Sequence, residues 1–218
     1  MGQFGIVSLC HGAFLGIAAY TAGLLYNFYH VSPWLGMILG LCGVAIVAGV
    51  SGYACFRFGI IGHYFAITSL VITEFVVLII IAFRDITGGR LGFTLNRLEA
   101  SPMYKQLYYL QFNGKTYYYY FALALLLFSL YIWKKLDQSK AQKALRAIGD
   151  DEIAASCVGI PVVKYKTGIT MLSAVIAGIG GVLYAQYTMY LNPISMVGVV
   201  PSLDIIFKAI LGGVFSRP

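Results

Sequence analysis

Charge is scarce in this sequence: only 11% of its 218 residues are Asp, Glu, Lys or Arg. Ordinary soluble domains carry about 25% charged residues, whereas this chain is 60% hydrophobic. The mean hydropathy of +0.82 points the same way, because a soluble domain of this length cannot bury so much apolar surface. The composition therefore excludes a soluble globular protein and predicts a polytopic membrane protein.

Patterns that carry enzyme chemistry are also missing. The four scattered cysteines (Cys10, Cys42, Cys55, Cys157) include no C-x-x-C pair, which argues against a disulfide framework or a metal site. No Ser/His/Asp set or pair of catalytic carboxylates is recognisable. The stretch 113–116 resembles the end of a phosphate-binding loop, but Tyr109 occupies the position of the required first glycine. We therefore predict no enzyme activity, no bound cofactor or metal and no nucleic-acid partner.

Long apolar runs divide the chain into membrane spans. A transmembrane helix needs about 20 predominantly apolar residues. The runs that approach this length are 13–29, 34–56, 64–83, 117–133 and 167–189. A sixth run, 203–215, is about 13 residues long, too short for a full crossing. The sequence thus predicts one all-α domain over 1–218, a bundle of about five to six transmembrane helices, and no cleavable signal peptide.

Two polar segments, 84–116 and 134–166, separate these spans. Lysine and arginine concentrate on the cytoplasmic side of membrane proteins. Segments 134–166 and 57–63, together with the C-terminus, hold nine of them, and the loop 84–116 holds five. We therefore expect 134–166 to be cytoplasmic and 84–116 to be external.

The segment 134–166 contains the pattern of a short, sharply bounded helix. Gly149 is expected to break the preceding turn, and Asp150 is expected to be the N-cap. Gly159 is placed to adopt the left-handed conformation that ends a helix, and Pro161 prevents its continuation. A helix of about two turns over 150–159 is marginal alone in water, so membrane helices or a partner should hold it.

The run ALRAIGDDEIAASCVGI, residues 144–160, resembles the EAA-type loop of bacterial ABC importer permeases, in particular the branched-chain amino acid permease family. Stretches at 5–14, 57–74, 87–89 and 210–213 resemble the same family in the same order, so the resemblance covers nearly the whole chain. In that family the loop forms a cytoplasmic coupling helix that docks on the ATPase subunit. The resemblance assigns ATPase coupling to Arg146, Asp151, Glu152, Ala154, Ala155 and Gly159.

The resemblance also implies a function. The chain would be the membrane-spanning permease subunit of an ATP-driven importer for leucine, isoleucine and valine, or for a related small solute such as urea or an amide. It would work in the bacterial inner membrane with a second homologous permease, two cytoplasmic ATPases that bind the ATP, and a periplasmic solute-binding protein. Members of the family continue beyond both ends of this sequence, so we expect an incomplete subunit; the alternative is a natural five-span protein with a re-entrant sixth segment.

Glu74 is the main candidate for chemistry inside the membrane, because an ionisable group at membrane depth is costly. On an ideal helix it shares a face with His63, and Thr73 lies on the adjacent face. These residues either line a translocation pathway or form a structural contact. Two other functions stay open: a proton- or ion-coupled secondary transporter that uses Glu74, and a non-transporting membrane scaffold.

Small residues recur at helical spacing in the second and fifth spans, which favours close contact between helices. The predicted packing residues are Gly36, Gly40 and Gly43, and Ala174, Gly178, Gly181 and Ala185. We expect Asp204 and Lys208, at i and i+4, to neutralise each other. His11 is expected to form a hydrogen bond between helices.

Overall fold

The computed structural model describes residues 8–60, 62–96, 106, 108–112 and 114–212. The long helices are α1 (His11–Tyr29), α2 (Pro33–Arg57), α3 (His63–Ala82), α5 (Lys115–Asp137) and α8 (Val162–Thr188). The shorter ones are α4 (Arg84–Thr87), α6 (Lys140–Asp150), α7 (Glu152–Cys157), α9 (Pro193–Met196) and α10 (Val199–Leu211). Two short strands, β1 (Phe93–Thr94) and β2 (Tyr190–Leu191), pair in antiparallel fashion, and a 3-10 turn covers Gly89–Leu91.

Each of the five predicted spans coincides with a long helix, and the predicted all-α class is confirmed. In the described part of the chain, α2, α3, α5 and α8 are long and apolar enough to cross a membrane. Helix α1 has 19 residues but does not reach the same hydropathy. It lies at the centre of the bundle, where Ala13, Ala18 and Ala19 are fully buried. Ten of its 19 residues are buried, so other parts of the protein cover much of its surface.

Close packing of α1 against α2 depends on small residues. A Cβ atom added to Gly36 would lie 2.9 Å from the Ala22 Cα, and one added to Gly40 would lie 3.0 Å from the Ala18 Cα. A Cβ on Gly43 would meet only Ile17, at 3.8 Å, which is an ordinary contact. The closest approach of the two backbones is therefore at Gly36 and Gly40, and Gly43 lies at its margin.

Helix α8 packs against both α1 and α2 through one face. The small residues of that face are Ala174, Gly178, Gly181 and Ala185, and all four are buried. A Cβ on Gly178 would lie 2.8 Å from a methyl group of Leu41 in α2. A Cβ on Gly181 would clash with the main-chain carbonyl of Leu15 in α1. Helices α1, α2 and α8 thus form the tightly packed centre of the fold.

Helix α5 lies at the periphery. None of its residues is buried, and it packs on α8 and α6 and, through Tyr118, on Leu110. Large apolar side chains are exposed along it, including Leu126, Leu127, Phe128 and Leu130. Such a surface suits a lipid environment.

The described part of the polar segment 84–116 contains regular secondary structure, which was not predicted. Within 84–116 the chain forms α4, the 3-10 turn and β1, and β1 pairs with β2 through Phe93 and Leu191. The predicted sixth run, 203–215, is helical from Val199 to Leu211, and residues 213–215 lie outside the described ranges. Asp204 and Lys208 form the expected ion pair.

Candidate functional site

The chain between α5 and α8 forms two short helices, where one was predicted. In α6 the buried side chains are Gln142, Leu145 and Ile148. Gly149 lies inside α6 and Asp150 is its last residue, so the predictions that Gly149 breaks the chain and that Asp150 is the next N-cap are wrong. The Asp151 N–H continues the helical pattern by donating to the Ala147 carbonyl at 3.1 Å, and a glycine near a helix end opposes this by only about 1 kcal/mol.

The direction of the chain changes at Asp151. Its backbone is extended, and its carboxylate accepts hydrogen bonds from the N–H groups of Ile153 (2.8 Å) and Ala154 (3.0 Å). Such an N-cap stabilises a helix by about 1 kcal/mol. At the other end of α7, Gly159 has a φ of +86°, the left-handed conformation predicted from the sequence. Both ends of α7 are therefore fixed by local chemistry.

An ion pair attaches α7 to the bundle. The Lys166 ammonium, in the first turns of α8, donates to the Glu152 carboxylate at the start of α7. The Lys166 side chain is only 4% exposed, and that of Glu152 is 34% exposed. A buried ammonium needs a counter-charge because desolvation is costly. The pair therefore constrains where α7 lies against α8.

Lys166 also contacts the corner between α2 and α3. Its Nζ lies 5.6 Å from the centre of the Phe56 ring, within the range of a cation–π interaction. Phe56 stacks on Phe65 of α3 with a centroid distance of 5.0 Å, and both rings are buried. One side chain thus joins α7 and α8 to the corner between α2 and α3.

The outer surface of α7 carries two large apolar side chains. Ile153 is 77% exposed and Val158 is 82% exposed. Ala154 and Cys157 beside them are exposed as well, whereas Ala155 faces the bundle and is buried. Helix α7 therefore presents an exposed apolar surface, defined by Ile153, Ala154, Cys157 and Val158, while its opposite side is attached to the bundle.

The six residues that the family resemblance assigned to coupling have different environments. Asp151 caps α7, Glu152 pairs with Lys166 and Ala155 is buried. Arg146 binds Asp137 at 2.6 Å on the surface of the α5–α6 corner. Ala154 and Gly159 are exposed.

The exposure of Ile153 and Val158 was not predicted from the sequence. A signal for their exposure was present, since they are bulky apolar residues in an otherwise polar segment. The sequence placed Lys166 at the end of the polar segment 134–166, but α8 begins at Val162 and Lys166 is buried within it.

The three candidate pathway residues lie in different environments. His63 is exposed at the start of α3, whereas Thr73 is fully buried. The Thr73 hydroxyl donates to the carbonyls of Leu9 and Ser69, each at 3.0 Å. Glu74 is half-buried, and no described residue forms an ion pair or hydrogen bond with it.

A buried polar cluster surrounds the beginning of α1, and most of it was not predicted from the sequence. The His11 Nε2 lies 3.0 Å from the Ser173 hydroxyl of α8, the interhelical bond expected of His11. The Ser69 hydroxyl accepts from the Leu9 N–H at 2.9 Å, and the Ser202 hydroxyl accepts from the Gly12 N–H at 3.1 Å. Ser202 thus satisfies a free N–H group in the first turn of α1, and Ser69 satisfies one just before the helix. Isolated serines in apolar spans gave no signal of this role.

Ser173 is the twelfth residue of α8, so α1 begins about 16 Å along that helix. The beginning of α1 is therefore enclosed within the bundle rather than at its surface. Side-chain hydroxyls there bind backbone N–H groups, as backbone at membrane depth requires.

The whole chain, residues 1–218, matches the model of the family described as "Branched-chain amino acid transport system / permease component". The chain is 27% identical over 234 residues to the high-affinity branched-chain amino acid transport system permease protein LivM of Escherichia coli, and equally to that of Salmonella typhimurium. These alignments cover 100% of this chain and 54% of each relative, so the chain spans about half the length of the curated relatives it matches. No solved structure matches it.

This chain belongs to the branched-chain amino acid transport permease family. With its apolar helices, the family membership identifies a multi-pass membrane protein. The family consists of transport subunits, which points to a transport role rather than an enzymatic one.

Proposed function

We propose that this chain is the membrane-spanning part of a permease subunit in an ATP-driven importer of branched-chain amino acids, located in the bacterial inner membrane. Helix α7 is its contact with a separate ATPase. The observation that carries the proposal is the exposed apolar surface of α7, with Ile153 77% and Val158 82% exposed on a helix attached firmly to the bundle. An exposed apolar surface outside the membrane spans is typical of a protein-binding site.

The expected orientation of the bundle in the membrane supports this assignment. Segment 134–166 and the start of α3 lie at the same end of the bundle, since Lys166 contacts Phe56 and Phe56 contacts Phe65. This end carries more lysine and arginine than the loop 84–116, as cytoplasmic ends do. In the proposed complex the ATPases bind the ATP here, and a periplasmic solute-binding protein delivers the solute at the opposite end.

The mechanism is a switch between two states of the bundle. Closure of two ATPases around ATP moves α7, and the bundle switches between outward-facing and inward-facing states. Coupling between distant sites requires an element with two arrangements. A second homologous permease subunit pairs with this one and completes the pathway. The glycine contacts between α1, α2 and α8 let these backbones lie close together.

Leucine uptake tests the proposal against the secondary-transporter alternative, in which Glu74 carries a proton. Cells that express the permease with its partner subunits are compared with cells that lack only the ATPase, and with cells that carry Glu74→Gln. We expect uptake to require the ATPase and to persist in Glu74→Gln. Uptake that is independent of the ATPase, sensitive to a protonophore and lost in Glu74→Gln would establish the alternative.

A further inference from the structure

We propose that Lys166 is a positioning residue that fixes the orientation of α7 and transmits its displacement to the corner between α2 and α3. The inference rests on the proposed function, because it concerns how a force on α7 reaches the membrane helices. The observation behind it is that one buried ammonium contacts both the Glu152 carboxylate of α7 and the Phe56 ring of α2.

Helix α7 has few other attachments of comparable strength. It has six residues, and Ala155 is its only buried one. Its caps at Asp151 and Gly159 are local, so they shape the helix without fixing it to the bundle. A helix this short is marginal by itself. Its orientation against the bundle therefore depends on the bond between Glu152 and Lys166.

The connection continues beyond Lys166. The Phe56 ring is stacked on Phe65 with 21° between the ring planes, and Cys55 with parts of Ile60 and Val163 completes this small apolar cluster. Phe56 lies in the last turn of α2 and Phe65 in the first turn of α3. A shift of Glu152 thus displaces the ends of two membrane helices, since packed interiors transmit strain rather than absorb it.

The two charges of the Glu152–Lys166 pair differ in their access to water. Glu152 is partly exposed, so water can solvate its carboxylate when the pair opens, whereas the Lys166 ammonium has no such access. Separation of α7 from α8 is therefore opposed chiefly by the buried ammonium. The pair makes α7 follow α8 instead of moving alone.

Lys166→Met tests the inference with little risk to folding, because the charge left behind is on the half-exposed Glu152. Lys166→Arg keeps a cation over Phe56 and serves as the conservative variant. Lys164→Met is the matched control, since Lys164 is two residues earlier, exposed and outside this cluster.

Two readouts are needed. In the complete transporter we expect Lys166→Met to lower the amount of leucine transported per ATP hydrolysed by about tenfold, within the usual range of coupling between sites. In the purified permease without the ATPase, hydrogen exchange of the amides in 152–157 should accelerate by a similar factor. Lys166→Arg should recover most of both, and Lys164→Met should match the unmodified protein.

Unchanged transport per ATP together with unchanged amide exchange in Lys166→Met would overturn the inference. Faster amide exchange with unchanged transport per ATP would also overturn it, because Lys166 would then hold α7 without transmitting its displacement. If the unmodified transporter takes up leucine without any ATPase, the proposed function fails instead. The amide-exchange comparison then still decides whether Lys166 holds α7.

Discussion

The Glu152 carboxylate, at the first position of α7, is bound by the Lys166 ammonium fourteen residues later in α8. Because Lys166 is buried and Glu152 is partly exposed, removal of one partner does not cost the same free energy as removal of the other. Removal of the carboxylate leaves a buried charge, while removal of the ammonium leaves a carboxylate that water can reach.

This asymmetry gives the first prediction. Glu152→Ala should destabilise the detergent-solubilised protein by about 3 kcal/mol, the lower part of the range for breaking a buried pair, measured as a shift in its thermal unfolding midpoint. Asp137→Ala is the control, because it breaks the Arg146–Asp137 pair, in which both side chains are exposed, and such pairs contribute about 0–1 kcal/mol. Equal shifts for the two variants would contradict the prediction.

The pair also changes what is expected of Glu152→Lys. From the sequence, a charge reversal here should weaken ATPase docking without any effect on protein level. In the structure it places a second cation beside the buried Lys166. We now expect a lower amount of membrane-inserted protein, measured by quantitative immunoblotting. A normal level would show that the ammonium finds another partner.

The next prediction concerns the end of α7. Gly159 has a φ of +86°, and a Cβ there would meet no atom within 4 Å. The effect of Gly159→Val is therefore backbone strain alone, about 1–2 kcal/mol or more for a β-branched residue. We expect normal insertion but weaker ATPase binding, because the chain leaves α7 in a different direction. Gly168→Val, also in open space but in helical conformation, should bind the ATPase normally.

Adjacent glycines in α8 allow a matched test of helix packing. Gly181→Ala forces a methyl group into the Leu15 carbonyl, whereas a Cβ on Gly180 lies 3.9 Å from Leu125. Overpacking of this kind destabilises by about 1–3 kcal/mol. We expect a lower thermal unfolding midpoint for Gly181→Ala and little change for Gly180→Ala. A lower midpoint for Gly180→Ala than for Gly181→Ala would show that α8 turns a different face toward α1.

Topology can be measured by labelling with an impermeant thiol reagent on intact cells. We expect Arg90→Cys, an exposed site in the external segment, to react, and Lys143→Cys, exposed on α6, to be protected. The background lacks the four native cysteines. The opposite pattern would invert the orientation and remove α7 from the cytoplasm. Asn113, another candidate position in the predicted external loop, lies outside the described residues.

Part of this structure could be predicted because the signals are local. The long helices follow from apolar runs, and the α8 contacts at Gly178 and Gly181 follow from the spacing of small residues. The conformation of Gly159 follows from its place between a short helix and Pro161. Each of these depends on residues close together in sequence.

The rest depends on tertiary contacts. Whether Asp150 or Asp151 caps α7 is decided by where α6 ends, and two adjacent aspartates give the same local signal. The burial of Lys166 depends on α8 starting at Val162 and packing against Phe56. The same holds for Ser173 and its bond to His11, since 162 residues separate them.

In the proposed complex, the exposed apolar surface of α7 binds an ATPase. The most direct measurement is the amount of ATPase that co-purifies with the Ile153→Glu permease from detergent-solubilised membranes. Leu91→Glu is the control, an equally exposed apolar residue (79%) at the other end of the bundle. We expect Ile153→Glu to reduce the bound ATPase at least about tenfold, since central apolar contacts contribute roughly 2 kcal/mol or more, while Leu91→Glu retains it. Full ATPase binding by Ile153→Glu would contradict the account.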